Sequence, residues 1–207
     1  TSCLRNNLWE EHIKIVSQNI NSGRNNCWIF EIGKIFTKNK NDFVEEEFIN
    51  GAICGNNKFE SWDTSGKEKD ILYFDARGKL REALDSLKIS IIDKTTETID
   101  FLHPGRTALL YIEGKESGYF GQIHPKYLME KNSLKNIYLF SIKLRNISDA
   151  CTRKNIWNPL FMNYPIVPKI ERDINLIFNK KYSINEIITF IRKSGKKLLE
   201  DVNLVDI

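Results

Sequence analysis

Two histidines, His103 and His124, each stand directly before a proline, and their type suits acid–base or metal chemistry. Because imidazole titrates near neutral pH and ligates metals, a catalytic or metal-binding pair is one interpretation. The favoured interpretation is that the two His-Pro pairs form turns at the ends of a hairpin, with each imidazole hydrogen-bonded to backbone. Gly105 and Gly121 then serve backbone geometry rather than phosphate binding. The predicted structural motif consists of His103, Pro104, Gly105, Arg106, Gly121, His124 and Pro125.

Arg106 is the charged member of this motif. Its guanidinium is expected to pair with a carboxylate, Asp75 or Glu31, or to face a partner subunit. The sequence leaves these alternatives open.

Basic residues near the end of the chain form a second candidate site, for the phosphates of a nucleic acid. Arg172 and Asp173 are consecutive on a predicted strand, so their side chains point to opposite faces. A structural ion pair is the favoured role of Arg172, and contact with RNA phosphates or a stacked base is the alternative. For the basic run Arg192-Lys193 and Lys196-Lys197 a solvated face is the favoured interpretation, and an RNA-contacting patch is the alternative. The predicted RNA-binding residues are Lys169, Arg172, Lys193, Lys196 and Lys197.

The composition is that of an ordinary globular protein. The chain has 207 residues, of which 41% are hydrophobic and 28% charged, with a formal net charge of +4 that does not by itself indicate nucleic-acid binding. No stretch approaches the roughly 20 apolar residues that cross a bilayer, and no secretory leader opens the chain, so no membrane association is expected. The 4 cysteines lack CxxC spacing, which argues against zinc and fits reduced thiols in a cytoplasmic protein, with Cys54 buried.

Hydrophobic periodicity predicts an α+β fold. Helices are predicted over 2–20, 70–87, 145–151 and 183–193, with short helical turns at 125–131. Strands are predicted over 27–36, 48–55, 89–92, 137–144, 170–178 and 199–207. A hairpin is predicted over 106–123, with the four-residue connection Glu113-Gly114-Lys115-Glu116. The acidic residues 45–47 are expected to hold a turn or an edge in water. Gly51 is expected at a close backbone approach and Gly78 at a tight helix contact.

A change in the sequence pattern near residue 152 predicts two domains. Prolines and aromatics replace the periodic pattern between Thr152 and Pro168, which indicates a linker. The predicted division is a module over 1–150, a linker over 151–168 and a second domain over 169–207. In the second domain Ser183 and Glu186 match a capping box, and the strand–helix–strand order is half of a ferredoxin-like fold.

Short phrases in a fixed order resemble the C-terminal region of the bacterial-type β subunit of phenylalanine–tRNA ligase. Each phrase is weak alone, but together they cover nearly the whole chain. They are Thr1-Ser2-Cys3-Leu4, Ile29-Phe30-Glu31-Ile32-Gly33-Lys34-Ile35-Phe36, Gly51-Ala52-Ile53-Cys54-Gly55, Trp62, Tyr73-Phe74-Asp75-Ala76-Arg77-Gly78-Lys79-Leu80, His103-Pro104-Gly105-Arg106, Gly121-Gln122-Ile123-His124-Pro125, Tyr164-Pro165, Glu171-Arg172-Asp173-Ile174, Leu198-Leu199-Glu200 and Asp206.

The resemblance implies a non-catalytic part of an enzyme that attaches phenylalanine to tRNA. Residues 1–150 would be a catalytic-like module with the antiparallel sheet of class II synthetases, and residues 169–207 the first half of an anticodon-binding domain. It further implies assembly with a catalytic α subunit into an α2β2 heterotetramer, binding of tRNA(Phe), and use of ATP and Mg²⁺ by the complete enzyme, with no cofactor in this chain. The family's editing and other N-terminal domains are not in this sequence, and an isolated strand–helix–strand piece is expected to be poorly held because its strands leave unpaired edges.

ATP chemistry by this chain itself is not expected. A class II synthetase grips the triphosphate with arginines, because the transition state carries spread negative charge. The matching place here reads Phe30-Glu31-Ile32-Gly33, with a carboxylate and no neighbouring arginine, and no glycine-rich run ending in arginine follows. Two alternatives are a stand-alone RNA-binding protein with a ferredoxin-like module and an independent enzyme using the two histidines.

Apolar contact with the α subunit is the other expected role. An obligate interface resembles a core cut in half, so exposed aromatic residues would mark it. The candidates are Trp9, Trp28, Phe59 and Trp62. Burial in the core of this chain is the favoured alternative for most of them.

Overall fold

The protein, seen in a computed structural model, folds into two compact units, Thr1–Leu160 and Phe161–Ile207. The structure describes residues 4–24, 26–39, 42–57, 69–128, 136–154, 156–157, 168–179 and 181–205. The predicted linker, 151–168, contains the boundary between the two units.

Four helices and eight strands make up the described part of the chain. The helices are α1 (Trp9–Asn21), α2 (Tyr73–Asp85), α3 (Leu144–Cys151) and α4 (Ile184–Gly195). The strands are β1 (Cys27–Asn39), β2 (Asp42–Cys54), β3 (Asn56–Asn57), β4 (Lys69–Asp70), β5 (Ile91–Thr95), β6 (Leu102–Ile112), β7 (Lys115–Ile123) and β8 (Ile137–Lys143). A single 3-10 turn, Pro125–Tyr127, replaces the helical turns predicted over 125–131, whose later residues lie outside the described ranges.

The first unit is built on a six-stranded sheet in the order β1-β2-β8-β7-β6-β5, with β3 and β4 as a small separate pair. Every neighbouring pair in the large sheet is antiparallel. This confirms the predicted α+β class with an antiparallel sheet. β1 and β5 lie at the two edges.

Each face of the sheet carries its own apolar cluster because side chains alternate along a strand. On one face α2 and α3 pack over a cluster that contains Ile53, Phe120, Tyr138 and Phe140. On the other face α1 packs with Ile13 and Val16 over Cys27, Ala52, Cys54 and Leu139.

The hairpin between β6 and β7 is tighter than the sequence suggested. Glu113 and Gly114 both have positive φ, +53° and +78°, which is the backbone of a type I′ turn. Ile112 therefore pairs with Lys115, and the predicted four-residue connection shrinks to two residues.

The acidic run lies inside β2, so the expected turn is wrong, but the expected edge is confirmed: residues 45–47 pair with β1, and the pairing of β2 with β8 begins only at Phe48. β1 and β2 pair without a break from Cys27↔Cys54 to Asn39↔Asp42. Cross-strand lysines hold two of the carboxylates: Lys34 Nζ lies 2.5 Å from Glu45 and Lys143 Nζ lies 2.8 Å from Glu46.

A bidentate ion pair ties α2 to the edge strand β5. Arg77 donates through Nε to Asp93 Oδ2 at 2.8 Å and through Nη2 to Oδ1 at 2.5 Å. The Arg77 side chain is only 10% exposed and Asp93 32%. Within the described ranges, Arg77 Nη1 is buried and has no hydrogen-bond partner, so Asp93 is the carboxylate that compensates this guanidinium.

The second unit contains α4, and the predicted capping box at its start is confirmed. The Ser183 hydroxyl accepts from the Glu186 amide at 3.3 Å, and the Glu186 carboxylate accepts from the Ser183 amide at 2.7 Å.

The strands predicted over 170–178 and 199–207 are wrong for the residues that the structure describes there. Residues 170–178 and 199–205 have no regular secondary structure. Ile170 is 75% exposed, and Ile177 is fully exposed. The physical reason is that a strand is stabilised by backbone hydrogen bonds to a neighbouring strand, and neither segment pairs with another strand of the described chain.

We expect opposite effects from adding one methyl group at two glycines. At Gly51 a Cβ would strike the Phe140 ring and the Ile29 carbonyl, which confirms the predicted close approach. At Gly78 a Cβ would meet nothing within 4 Å, so the predicted tight contact is wrong. Gly51→Ala should destabilise by roughly 1–3 kcal/mol through overpacking, and Gly78→Ala should stabilise by about 0.5–1 kcal/mol through helix propensity. Urea unfolding measures both, and equal midpoints would contradict this packing.

Loss of the buried ion pair should cost far more than loss of an exposed one. Asp93→Ala leaves the Arg77 guanidinium buried without its carboxylate, so we expect a loss of about 2–3 kcal/mol, discounted for the partial exposure of Asp93. The control is Asp85→Ala, which removes an exposed partner of Arg81 on the same helix and should change stability by only a few tenths of a kcal/mol. Similar urea midpoints for the two variants would refute the role assigned to Asp93.

Candidate partner surface and nucleic-acid contacts

Three apolar side chains form an exposed row on the edge strand β1, here called the β1 strip: Trp28, Phe30 and Ile32. They are 49%, 71% and 54% exposed. Since they alternate along the strand, they share one face of the sheet. Their β2 partners are Ile53, Gly51 and Ile49.

The β1 strip continues the core on the face covered by α2 and α3. Ile53 pairs with Trp28 on one side and Tyr138 on the other, and both Ile53 and Tyr138 belong to the buried cluster of that face. Helical cover therefore ends before the row reaches β1. Residues of β1 on the opposite face, such as Cys27 and Ile35, are buried.

Charged and aromatic groups bound the β1 strip. The Lys34–Glu45 ion pair lies on the same face, directly beyond Ile32. Lys34 is two positions after Ile32 on β1. Glu45 is on this face too, because it is the register partner of Phe36, which is two positions after Lys34. Farther along this face is Phe43, which is 67% exposed.

The four aromatic candidates for a partner surface have different positions. Trp9 stacks on Phe101 with ring centroids 4.6 Å apart and meets Tyr127 edge-on at 5.6 Å, so it belongs to the packing of this chain. Trp28 is exposed. Phe59 and Trp62 lie outside the described residues.

Both imidazoles of the histidine motif accept a hydrogen bond from backbone, as predicted. The Gly105 amide donates to His103 Nδ1 at 3.1 Å, and the Lys126 amide donates to His124 Nδ1 at 3.2 Å. The rings lie 6.3 Å apart. Residues 103–106 are not a turn before the hairpin but lie within β6, where its pairing with β7 shifts register between Leu102 and Thr107. A proline is tolerated at such an irregularity.

Arg106 pairs with neither predicted carboxylate, which corrects the expectation. Its Nη1 donates to Gln122 Oε1 at 2.6 Å, and Gln122 donates in turn to Asn136 at 2.9 Å. Asp75 instead accepts from the Leu72 amide at 3.0 Å at the start of α2. Glu31 accepts from Arg5 at 3.1 Å.

The predicted RNA-binding residues belong to the second unit, and those whose side chains are described are exposed. Lys169 Nζ lies 2.9 Å from Glu171, so its charge is partly balanced locally. Among the described residues no ion pair includes Arg172, so the favoured structural ion pair is not formed there. Lys193 and Lys196 lie at the end of α4, and the side chain of Lys197 lies outside the description.

Sequence reasoning missed a polar row across the α1 face of the sheet. Asn50 pairs with Glu31 on one side and Ser141 on the other, and Ser141 pairs with Tyr119. Burial raises the pKa of the Tyr119 phenol to about 12. Within the described ranges, Asn50 Nδ2 is buried without a hydrogen-bond partner. The sequence feature that could have indicated this polar row is Asn50, an asparagine inside the apolar run of β2.

Among the described residues, no group of three or more His, Cys, Asp or Glu side chains could hold a metal ion. None of the described helices has the length and apolar character required to span a bilayer.

Comparison with known proteins places the chain in a family. Residues 1–144 match the family described as the phenylalanyl tRNA synthetase beta chain CLM domain. Over 207 residues the chain is 60% identical to the phenylalanine–tRNA ligase beta subunit of Prochlorococcus marinus strain MIT 9312 and 59% identical to that of Prochlorococcus marinus subsp. pastoris. It is 38% identical over 206 residues to the corresponding subunit of Parasynechococcus marenigrum strain WH8102. All of this chain is matched, but it spans only 25% of each of these relatives.

Among solved structures, the chain is similar to a pyrrolysyl tRNA synthetase of Desulfitobacterium hafniense. The two share 14% identity and a TM-score of 0.47, over 70% of this chain and 49% of the other. The family match over most of the chain is the finding that decides identity: the chain belongs to the phenylalanyl-tRNA synthetase β-chain family.

Proposed function

We propose that this chain is the non-catalytic part of a phenylalanine–tRNA ligase β subunit that holds the catalytic α subunit and contributes to tRNA(Phe) binding. The complete α2β2 enzyme, in the cytoplasm, would attach phenylalanine to tRNA with ATP and Mg²⁺. Its first unit would be a catalytic-like class II module. The observation that carries the proposal is the β1 strip, an apolar row that this chain leaves uncovered at the edge of its sheet.

The β1 strip suits a permanent partner. Side chains as large as Trp28 and Phe30 gain most from removal from water, and aromatic anchors dominate the energy of such interfaces. An apolar stretch on an open edge strand also invites aggregation, so it favours a partner that covers it throughout the life of the protein. Membership of a family named for a β chain makes an α subunit the natural occupant.

The arrangement around Glu31 supports a non-catalytic role. In the resemblance this carboxylate stands beside the place where a synthetase needs arginine for the ATP phosphates. The structure does bring Arg5 to this place, but its Nη1 is shared between Glu31 at 3.1 Å and Glu11 at 3.2 Å. A guanidinium already paired with two carboxylates has little charge left for a triphosphate, so the residues here do not fit ATP.

The second unit supports a proposal for RNA. We infer that residues 170–178 and 199–205 become strands of a ferredoxin-like anticodon-binding domain when further chain supplies the strand between them. The side chain of Arg172 is exposed, and lysines follow at the end of α4. Such basic groups attract RNA phosphates independently of sequence.

A charge placed in the β1 strip should abolish assembly. Ile32→Glu puts a carboxylate into a surface that becomes desolvated on binding, so we expect affinity for the α subunit to fall by about 100-fold or more. Co-purification with the cognate α subunit and sedimentation of the mixture measure this.

The matched control is Ile92→Glu. Ile92 is 55% exposed against 54% for Ile32, and it lies on β5 at the opposite edge of the same sheet. We expect this variant to bind the α subunit like the unmodified chain, and neither variant to shift the urea midpoint. If Ile32→Glu still binds the α subunit, or if both variants lose the same affinity for it, the β1 strip is not part of the interface.

Removal of the Arg172 charge should weaken tRNA binding by the complete enzyme. Arg172→Ala should lower affinity for tRNA(Phe) and reduce the slope of log affinity against log salt by about 1, as expected for one lost phosphate contact. The control is Arg81→Ala, whose side chain is 72% exposed on α2 in the first unit and should leave both quantities unchanged. If Arg172→Ala changes neither affinity nor salt dependence, Arg172 has no RNA contact.

A further inference from the structure

Two cysteines face each other across the first strand pair of the sheet. Cys27 opens β1, Cys54 closes β2, and they are direct register partners. Directly opposed residues on antiparallel strands have Cα atoms about 4.5–5.5 Å apart. That separation lies inside the range of about 4.4–6.8 Å which a disulfide spans.

Both thiols also point into the same apolar cluster. They lie on the α1 face with Val16 and Ile137, and they are 6% and 3% exposed. Each is present as a free cysteine. Side chains of opposed residues share a face, so the two sulfur atoms need no change of strand register to meet.

We propose that Cys27 and Cys54 form an oxidisable dithiol, a modification site at which a peroxide joins β1 to β2 through a disulfide. The thiolate of Cys27 attacks one peroxide oxygen and breaks the O–O bond. This gives a sulfenic acid, and the departing hydroxide becomes water with the proton from the thiol. The thiolate of Cys54 then attacks the sulfenic sulfur, forms the S–S bond and displaces a second hydroxide, which leaves as water with the proton of Cys54. Two thiols are oxidised, and one peroxide is reduced to two waters.

The order of attack follows from the charges around each sulfur. Burial raises the pKa of both thiols, and that of Cys54 reaches about 11. The positive charge of Arg24 opposes the rise at Cys27, whereas Asp70 adds to it at Cys54. Since the thiolate is the nucleophile, Cys27 reacts first and Cys54 resolves.

The bond would restrain the edge strand that carries the β1 strip. Trp28 follows Cys27 directly, on the opposite face of the same strand. A cross-link here prevents β1 from separating at its first residue and removes freedom from the unfolded chain. The oxidised protein should therefore unfold at a higher urea concentration than the reduced protein.

Peptide mapping of the 207-residue chain tests the proposal. The chain is treated with hydrogen peroxide, its remaining thiols are blocked with N-ethylmaleimide, and it is digested with trypsin without reduction. The Cys27 peptide (residues 25–34) and the Cys54 peptide (residues 41–58) should appear as one linked species that has lost two hydrogens and separates on adding dithiothreitol.

Variants make the assignment specific. Cys151→Ser removes a half-buried thiol outside the pair and should leave the linked species and the rise in urea midpoint intact. Cys27→Ser should abolish both, with circular dichroism confirming that it folds. Three results would each overturn the proposal. They are a disulfide that includes Cys3 or Cys151, sulfinic acid at Cys27, and unmodified Cys27 and Cys54 thiols in a sample in which Cys151 is fully oxidised.

Discussion

The architecture depends on one constraint: side chains of a strand alternate between the two faces of the sheet, and each face needs its own cover. Here α1 covers one face, and α2 with α3 covers the other. At β1 only one face is covered: Ile35 and Cys27, on the α1 face, are buried, while Phe30, on the other face, is 71% exposed. The β1 strip is thus a direct consequence of where helical cover ends.

Features with local causes were predictable from the sequence. The capping box at Ser183 needs only residues three apart along the chain. The histidine motif belongs to the same class, since each imidazole accepts from an amide two residues away. In both cases the bonding partners lie within a few positions along the chain.

Features with distant causes were not predictable. The strands expected over 170–178 and 199–207 have the right composition, but a strand is stabilised by a neighbour that local sequence does not specify. The same holds for the carboxylates of Glu45 and Glu46, whose cross-strand lysines allow them inside a sheet. Arg106 found an amide instead of a carboxylate, because the strand register places Gln122 rather than Asp75 or Glu31 within its reach. Trp9 and Trp28 look equivalent in the sequence, and only the packing of α1 on Phe101 distinguishes them.

The same register explains why the apolar edge is short. Continuing the row beyond Ile32 would place another large apolar group at position 34, but Lys34 stands there and binds Glu45 on the same face. A long uninterrupted apolar edge would pair with any exposed strand, including a second copy of this chain. The β1 strip instead has three apolar residues followed by an ion pair. It therefore favours a partner whose surface has an apolar patch opposite the three residues and polar groups opposite the ion pair. The choice of partner then depends on the Lys34–Glu45 ion pair at the end of the β1 strip as much as on its apolar residues.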